Sequence, residues 1–371
     1  MSTLNTEART FRGALIGCGF FAQNHLHAWR EIDGAEIVAL CDANRDRLQA
    51  SGRKFGIERL YTDAATMLRA EQLDFVDIAT TVTTHRPIVE LAAHAGVGVI
   101  CQKPFAPALA DAHAMVAACK QAGVPLMVHE NFRWQAAIQA VGRALREGAI
   151  GTPFWGRVSF RSAFDVFSGQ PYLAHGERFI VEDLGIHVLD IARFLFGDVD
   201  RLTATTSRVN PAIAGEDVAT ILLSHASGVT SVVDCSYASR LSQELFPQTL
   251  IEVDGEQGSV RLSADYRLQI HSLDGTRTET VAHPPSSWSS APWEAIQGSV
   301  VSIQRHWIAC LRSGSEPATS GVDNLRTLAL VEATYRSAAE GRTVSLASLD
   351  AHAPSSESPT GASGWVSAEL P

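Results

Sequence analysis

The chain has 371 residues, 40 acidic against 30 basic side chains and a formal net charge of −10. That length suits two domains better than one core, and an acidic chain with no Lys/Arg-rich block is a poor match for a phosphate backbone, so nucleic acid is not an expected partner. Residues 1–10 lack the apolar stretch of a signal peptide and no uninterrupted apolar run is long enough to span a bilayer, so no membrane partner is expected either.

Residues 11 to about 130 alternate strand-like and helix-like runs. The segments 12–16, 36–41, 75–79, 97–101 and 125–129 are short and rich in Val, Ile, Leu or Ala, as parallel strands covered on both faces should be. Between them 23–30, 64–69, 86–94 and 108–121 read as helices. A brief extended piece at 59–61 leads to Asp63, which is placed to cap the second helix, and Gly96 and Gly123 stand where left-handed exits would end the last two. This alternation predicts an α/β fold, a doubly wound parallel sheet with right-handed crossovers.

Gly17-Cys18-Gly19-Phe20-Phe21-Ala22 joins the first strand to the first helix. Gly17 permits a tight turn, Gly19 lets backbone approach a ligand closely, and the small Ala22 lets helix pack on strand. Free N–H groups and the positive end of the helix dipole then favour a pyrophosphate. The second strand ends at Asp42, whose carboxylate can accept bonds from both ribose hydroxyls of an adenosine and would repel a 2′-phosphate. NAD is therefore the expected cofactor, with NADP left open by the nearby Arg45 and Arg47. A lone G-x-G-x-x-A is weak, because glycines punctuate many loops; strand, turn, helix, strand and acid in that order carry the reading. Ligands of such sheets bind beyond the carboxyl ends of the strands, and that rim collects Thr80-Thr81, Gln102-Lys103-Pro104 and Glu130-Asn131.

After Arg133 the pattern changes. A helix at 135–147 ends at Gly148, and β-rich segments follow at 153–161, 201–209, 217–225, 229–237, 248–254, 258–263 and 266–271. Turn signals such as Ala226-Ser227-Gly228, Asp254-Gly255-Glu256 and Asp274-Gly275 separate them, so most neighbours should pair antiparallel. Helices are expected near 298–313 and 323–340, and from Asp350 the chain has little to bury. The expected division is an N-terminal tail (1–10), a dinucleotide-binding domain (11–130), a substrate and oligomerisation domain (131–349) and a disordered tail (350–371). Cys18, Cys41, Cys101, Cys119, Cys235 and Cys310 are scattered without C-x-x-C spacing and read as small buried residues in a reducing cytoplasm.

One apolar helix, about 182–196 and ending at Gly197, interrupts the second sheet. Spacings of four and three residues set Asp183, His187 and Asp190 on one of its faces, where burial without partners would cost on the order of 1–3 kcal/mol each. The plain alternative is an Asp favouring the helix dipole and a core histidine held by Asp190. A zinc site lacks a further ligand, so no metal is expected. The third reading is a general base.

Gly17-x-Gly19-x-x-Ala22, Asp42, Thr81-x-x-x-His85, Lys103-Pro104, Glu130-Asn131-Phe132-Arg133, Asp183-x-x-x-His187-x-x-Asp190 and Ala333-x-x-x-Ser337 occur co-linearly. Together they resemble the Gfo/Idh/MocA family of oxidoreductases over about residues 11–345. The resemblance implies a Rossmann domain followed by an α/β domain with a large open sheet, NAD(P)-linked oxidation of a sugar or polyol, and a homodimer or homotetramer formed through that sheet. It also makes Lys103 the active-site lysine, His187 the acid/base and Asp183 the carboxylate beside it, and adds His85 to the cofactor rim. Two positions depart from the family pattern. Gln102 stands where Glu is usual; it can still hydrogen-bond a ribose or the lysine but no longer helps hold an ammonium charge. Val82 replaces a common proline.

A carbinol releases hydride readily only as its oxygen loses a proton, so the site needs a base and a positive group for the developing alkoxide. His187 meets the first need and Lys103 the second; Asp183 would grip a neighbouring hydroxyl and Asp190 would fix the tautomer of His187. The stretch 160–179 carries Arg161, Phe164, Asp165, Phe167, Tyr172, His175 and Arg178 and is the expected specificity element. Arg161 and Arg178 could equally clamp the carboxylate of a uronate or hydroxy acid. Rival readings are a nucleotide-sensing, non-catalytic member of the fold and a metal-dependent hydrolase.

Overall fold

The computed structural model describes residues 9–347; the tail expected from Asp350 lies outside them. The first half folds in the expected order: β1 (Phe11–Ile16), α1 (Ala22–Trp29), β2 (Ala35–Cys41), α2 (Arg45–Phe55), β3 (Arg59–Tyr61), α3 (Ala64–Ala70), β4 (Phe75–Ile78), α4 (His85–His94), β5 (Gly98–Gln102), α5 (Leu109–Ala122) and β6 (Leu126–His129). The strands pair in parallel in the order β3-β2-β1-β4-β5-β6, and the order reverses between β1 and β4, where a dinucleotide crevice belongs. Asp63 caps α3 by accepting the Thr66 N–H at 2.7 Å. Helix α2 was not expected, because its composition is polar. Its signals are nonetheless present: Asn44 accepts the Arg47 N–H at its start, Gly56 exits it with φ 70°, and Leu48, Ser51, Gly52 and Phe55 form its buried stripe.

The second half contains α6 (Ala136–Arg146), β7 (Pro153–Arg161), α7 (Ile186–Phe196), β8 (Val199–Ser207), β9 (Val218–His225), β10 (Thr230–Ser236), β11 (Leu250–Gly255), β12 (Gly258–Ser263), β13 (Arg267–Ser272), β14 (Gly275–Thr280), α8 (Glu294–Ser313), α9 (Gly321–Glu340) and β15 (Val344–Ser345). Nine strands form one sheet in the order β14-β13-β12-β11-β7-β10-β9-β8-β15. All its neighbours are antiparallel except β7 and β10, which pair in parallel. Strand β14 is exposed along its whole length and so carries no hydrophobic alternation to read. Helices α6 and α7 bury one face of this sheet; Val158 and Phe160 of β7 and Val233 and Cys235 of β10 point into that core.

Helix α8 follows the second sheet in the chain but packs on the first. Ile303, Trp307 and Ile308 bury against Phe11, Trp29, Phe75, Ile100 and Met127, so the face of the parallel sheet that α1 leaves open is closed by chain from the far end. Segment 281–293 leads into it and reaches α1 as well: Trp288 stacks on His27 at 5.1 Å and donates to Glu31 at 2.7 Å. The two halves are thereby tied together beside the glycine turn.

Candidate active site

Gly17 adopts φ +96°, and a Cβ there would lie 2.7 Å from the Ala79 carbonyl oxygen, so only glycine fits between β1 and the end of β4. A Cβ on Gly19 would meet no protein atom within 4 Å: the backbone there is bare to a ligand. Ala22 is fully buried against the sheet, no side chain caps α1, and Phe20 is 57% exposed beside the turn. Asp42 accepts the Cys18 N–H at 2.6 Å and the Asn44 N–H at 2.7 Å. Each carboxylate oxygen keeps acceptor capacity toward solvent. Replacing Asp42 with Asn should weaken NAD binding about tenfold, the difference between a charged and a neutral acceptor, and improve NADP relative to NAD; fluorescence titration of both dinucleotides checks this.

Thr80, Thr81 and His85 follow β4. His85 is buried between two main-chain carbonyls, with Nδ1 3.1 Å from Phe105 O and Nε2 3.2 Å from Thr80 O, and the neutral ring donates to one of them. It shapes the rim from behind, and burial pulls its pKa down. Asn131 is buried, donating to Ser299 Oγ at 2.7 Å, which turns its amide toward α8. Gln102 Oε1 accepts the Lys103 backbone N–H at 2.8 Å, and Nε2 lies 3.4 Å from His25 Nε2. Its amide therefore positions the lysine main chain rather than the ammonium.

Lys103, just beyond β5, crosses to the other half of the molecule. Its Nζ donates to the Asp183 main-chain carbonyl at 2.8 Å and to Asp183 Oδ1 at 3.0 Å, leaving one of three N–H donors for another acceptor. Burial alone would lower its pKa, but the Asp183 carboxylate, the strongest opposing influence, raises it, so the ammonium is charged at neutral pH. Asp183 lies in a single π turn, Val181–Gly185, that leads into α7. The four-residue α spacing expected between Asp183 and His187 is thereby altered; single π turns of this kind recur at functional sites.

His187 is 3% exposed. Its ring lies flat on Phe132, with centroids 3.8 Å apart and planes within 5°, and Nδ1 is hydrogen-bonded to Glu130 Oε1. The expected partner, Asp190, is engaged elsewhere: Oδ2 accepts Arg133 Nε at 2.6 Å, and Oδ1 accepts from the Arg133 guanidinium and from Thr327 Oγ1 at 3.1 Å. Three residues beyond His187, Asp190 points toward α9 rather than the imidazole. Glu130 lies on the expected rim, but 57 residues separate it from His187 and no local pattern links the two. Burial and the Lys103 ammonium hold the His187 pKa well below its usual value, while burial pushes Glu130 up to about 8 against the pull of Lys103 and Arg133.

Arg161 does not join this cluster. It alternates with Val158 and Phe160 and so lies on the sheet face away from α7, paired with Asp234 at 3.2 Å. Arg178 is held by Glu332 at 2.7 Å and by Glu182, over the Tyr335 ring. Neither arginine is poised as a carboxylate clamp. Phe164 stacks on Phe246 at 4.0 Å and meets Trp293, which also touches Phe20. Tyr172, 66% exposed, stands in the field of Asp183 and Lys103. Among the described residues no group of three or more His, Cys, Asp or Glu side chains is arranged to hold a metal, and no helix is long and apolar enough to cross a membrane.

Comparison with known proteins agrees with this layout. Residues 11–130 match the oxidoreductase family model with an NAD-binding Rossmann fold, and residues 138–261 match the Gfo/Idh/MocA C-terminal domain. A D-apiose dehydrogenase of Paraburkholderia graminis is 78% identical over 95% of this chain and 94% of its own. The chain belongs to the Gfo/Idh/MocA family of oxidoreductases. A second D-apiose dehydrogenase, from Rhizobium rhizogenes, is 61% identical over 91% of this chain and 98% of its own. The solved structure of an oxidoreductase from Agrobacterium radiobacter in complex with NAD+, L-tartaric acid and magnesium superposes with a TM-score of 0.91 at 60% identity, covering 91% of this chain and 99% of that one. The residues present fit NAD: the bare Gly19 backbone leaves room for a pyrophosphate, and Asp42 offers a carboxylate where the adenosine ribose would lie.

Proposed function

We propose that this member of the family oxidises D-apiose to its lactone with NAD, with His187 as general base and Lys103 stabilising the alkoxide. Supporting the substrate are the two D-apiose dehydrogenases at 78% and 61% identity. Supporting the roles is the Lys103–Asp183 contact at 3.0 Å, which brings an ammonium from the parallel-sheet half beside the helix carrying His187. The remaining Lys103 N–H would bond the C1 hydroxyl oxygen of the furanose, and Asp183 Oδ2 a neighbouring hydroxyl. His187 Nε2 takes the hydroxyl proton as the C1–H bond breaks with its electron pair and the C1 carbonyl forms. NAD, when bound, supplies the carbon that accepts the hydride. Lys103 stabilises negative charge that grows only as the O–H bond breaks, which is where binding energy accelerates the step.

We read the two halves, 11–130 and 131–349, as the dinucleotide domain and the substrate and oligomerisation domain of a cytoplasmic enzyme. Six unpaired, buried cysteines support a reducing compartment. Trp155, Leu222 and Val232, at least partly exposed on the sheet face away from α7, support a homodimer or homotetramer through that face.

The test is a screen of D-apiose, other aldoses, polyols, uronates and L-tartrate with NAD and with NADP, followed at the nicotinamide absorbance. The highest kcat/KM is expected for D-apiose with NAD. A preference for a uronate or for tartrate would overturn the substrate, and tight NAD binding with no turnover on any sugar would favour a sensor.

A further inference from the structure

We propose that Glu130 is the positioning residue of the base: its carboxylate accepts the Nδ1–H of His187 and so leaves the Nε2 lone pair for the substrate. This rests on the reading of His187 as the base and deepens it. Glu130 is fully buried at the end of β6, and its Oε1 takes the one hydrogen bond that the imidazole makes among the described residues. Phe132, two residues further on, lies flat against the ring. A ring clamped in its plane by Phe132 and tied at Nδ1 has only Nε2 left, and which nitrogen carries the proton is set by the partner of the other. Asp190, the nearest alternative, has both oxygens committed to Arg133 and Thr327.

The pair also accounts for how a buried imidazole takes a proton. When the substrate O–H bond breaks and Nε2 gains its proton, the imidazolium faces a carboxylate across Nδ1. The Nδ1 proton can then pass to Oε1, returning a neutral ring with a neutral acid. Charged and titratable groups press on the pair from every side: Lys103 beyond β5, His129 at the end of β6 and Arg133 just beyond it, Asp183 and Asp190 around the start of α7, and Asp323 on α9. Burial is the largest influence on Glu130 and pushes its pKa to about 8. Below that pH Glu130 is protonated and donates to Nδ1, Nε2 holds a proton, and the pair cannot act as a base. Above it Glu130 is ionised and Nε2 is free. The rate of oxidation should therefore rise with pH through about 8, and the rate of lactone reduction should fall.

Glu130→Gln is expected to lower kcat about 10²–10⁴-fold, the range for a missing orienting carboxylate or general base. The dissociation constant for NAD should stay within about threefold of wild type, and the rise in rate near pH 8 should vanish. Glu130→Asp should restore part of kcat together with a pH-dependent rise. Asp190→Asn should keep the wild-type shape of the pH profile. A Glu130→Gln enzyme with normal kcat and profile overturns the inference, as does loss of the rise in Asp190→Asn. If His187→Asn keeps full turnover, the base reading itself has failed; if His187→Asn is inactive while Glu130→Gln is normal, only the role of Glu130 has. Should Glu130→Gln not fold, histidine ¹⁵N shifts of wild-type enzyme above pH 8 decide: a protonated Nδ1 and a bare Nε2 support the inference, and the reverse tautomer overturns it.

Discussion

Replacing His187 with asparagine is expected to lower kcat by about 10²–10⁴-fold, the usual contribution of a general base, while NAD still binds. Asparagine keeps a polar group against Glu130 and Phe132 but cannot take a proton at neutral pH. Lys103→Met should act on the same step from the other side. It removes the donor for the developing alkoxide and leaves Asp183 without its counter-charge, and one lost oxyanion donor costs about 10²–10³-fold in kcat. The two losses should not add, because base and ammonium serve one proton transfer and a site already lacking one gains little from the other. Stopped-flow measurement of the first turnover, with NAD affinity measured separately, checks both variants. Near-normal turnover in either one would remove that residue from the chemistry.

Arg133→Met should destabilise the fold by about 3–5 kcal/mol, the cost of leaving one partner of a buried ion pair uncompensated. Arg133 follows the last strand of the parallel sheet and pairs with Asp190 of α7 and Asp323 of α9. Arg193 extends the network to Asp323 and Asp198, each at 2.8 Å. Asp190 is fully buried, so without the guanidinium its charge stays in a medium that solvates it poorly. Arg133→Met combined with Asp190→Leu should recover much of the loss, because two apolar residues remove both desolvation penalties together. Urea unfolding of the single and double variants, with m values compared, checks the pair. A single variant within about 1 kcal/mol of wild type would show that water or Arg193 already compensates Asp190.

The assignments that came out differently share a cause. Asp190 sits three residues from His187, and helical periodicity places both on one side of α7, but periodicity says nothing about what packs there. Arg133, just beyond the last strand of the parallel sheet, takes Asp190, while Glu130, three residues before it, takes His187. Arg161 belongs to a strand whose alternation was legible, yet only the location of α7 tells which of its two faces looks at the site. Asn131 and Gln102 lie on the expected rim, and their amides turn inward to Ser299 and His25 because α8 and α1 offer buried partners there.

Patterns a few residues long were enough for the glycine turn, Asp42 at the end of the second strand, the alternation of the parallel sheet and the caps at Asp63 and Gly123, since backbone sterics, helix-end donors and burial on one or two faces are local physics. The recurrence of such patterns in order likewise carried the family and the candidate lysine and histidine. Tertiary structure alone decided that α8 returns to close the first sheet, that Lys103 spans the two halves to Asp183, and that a glutamate 57 residues from His187 holds its ring. Those contacts join segments that no periodicity relates, and each was settled by which buried charge or donor had to find a partner once the two sheets had packed.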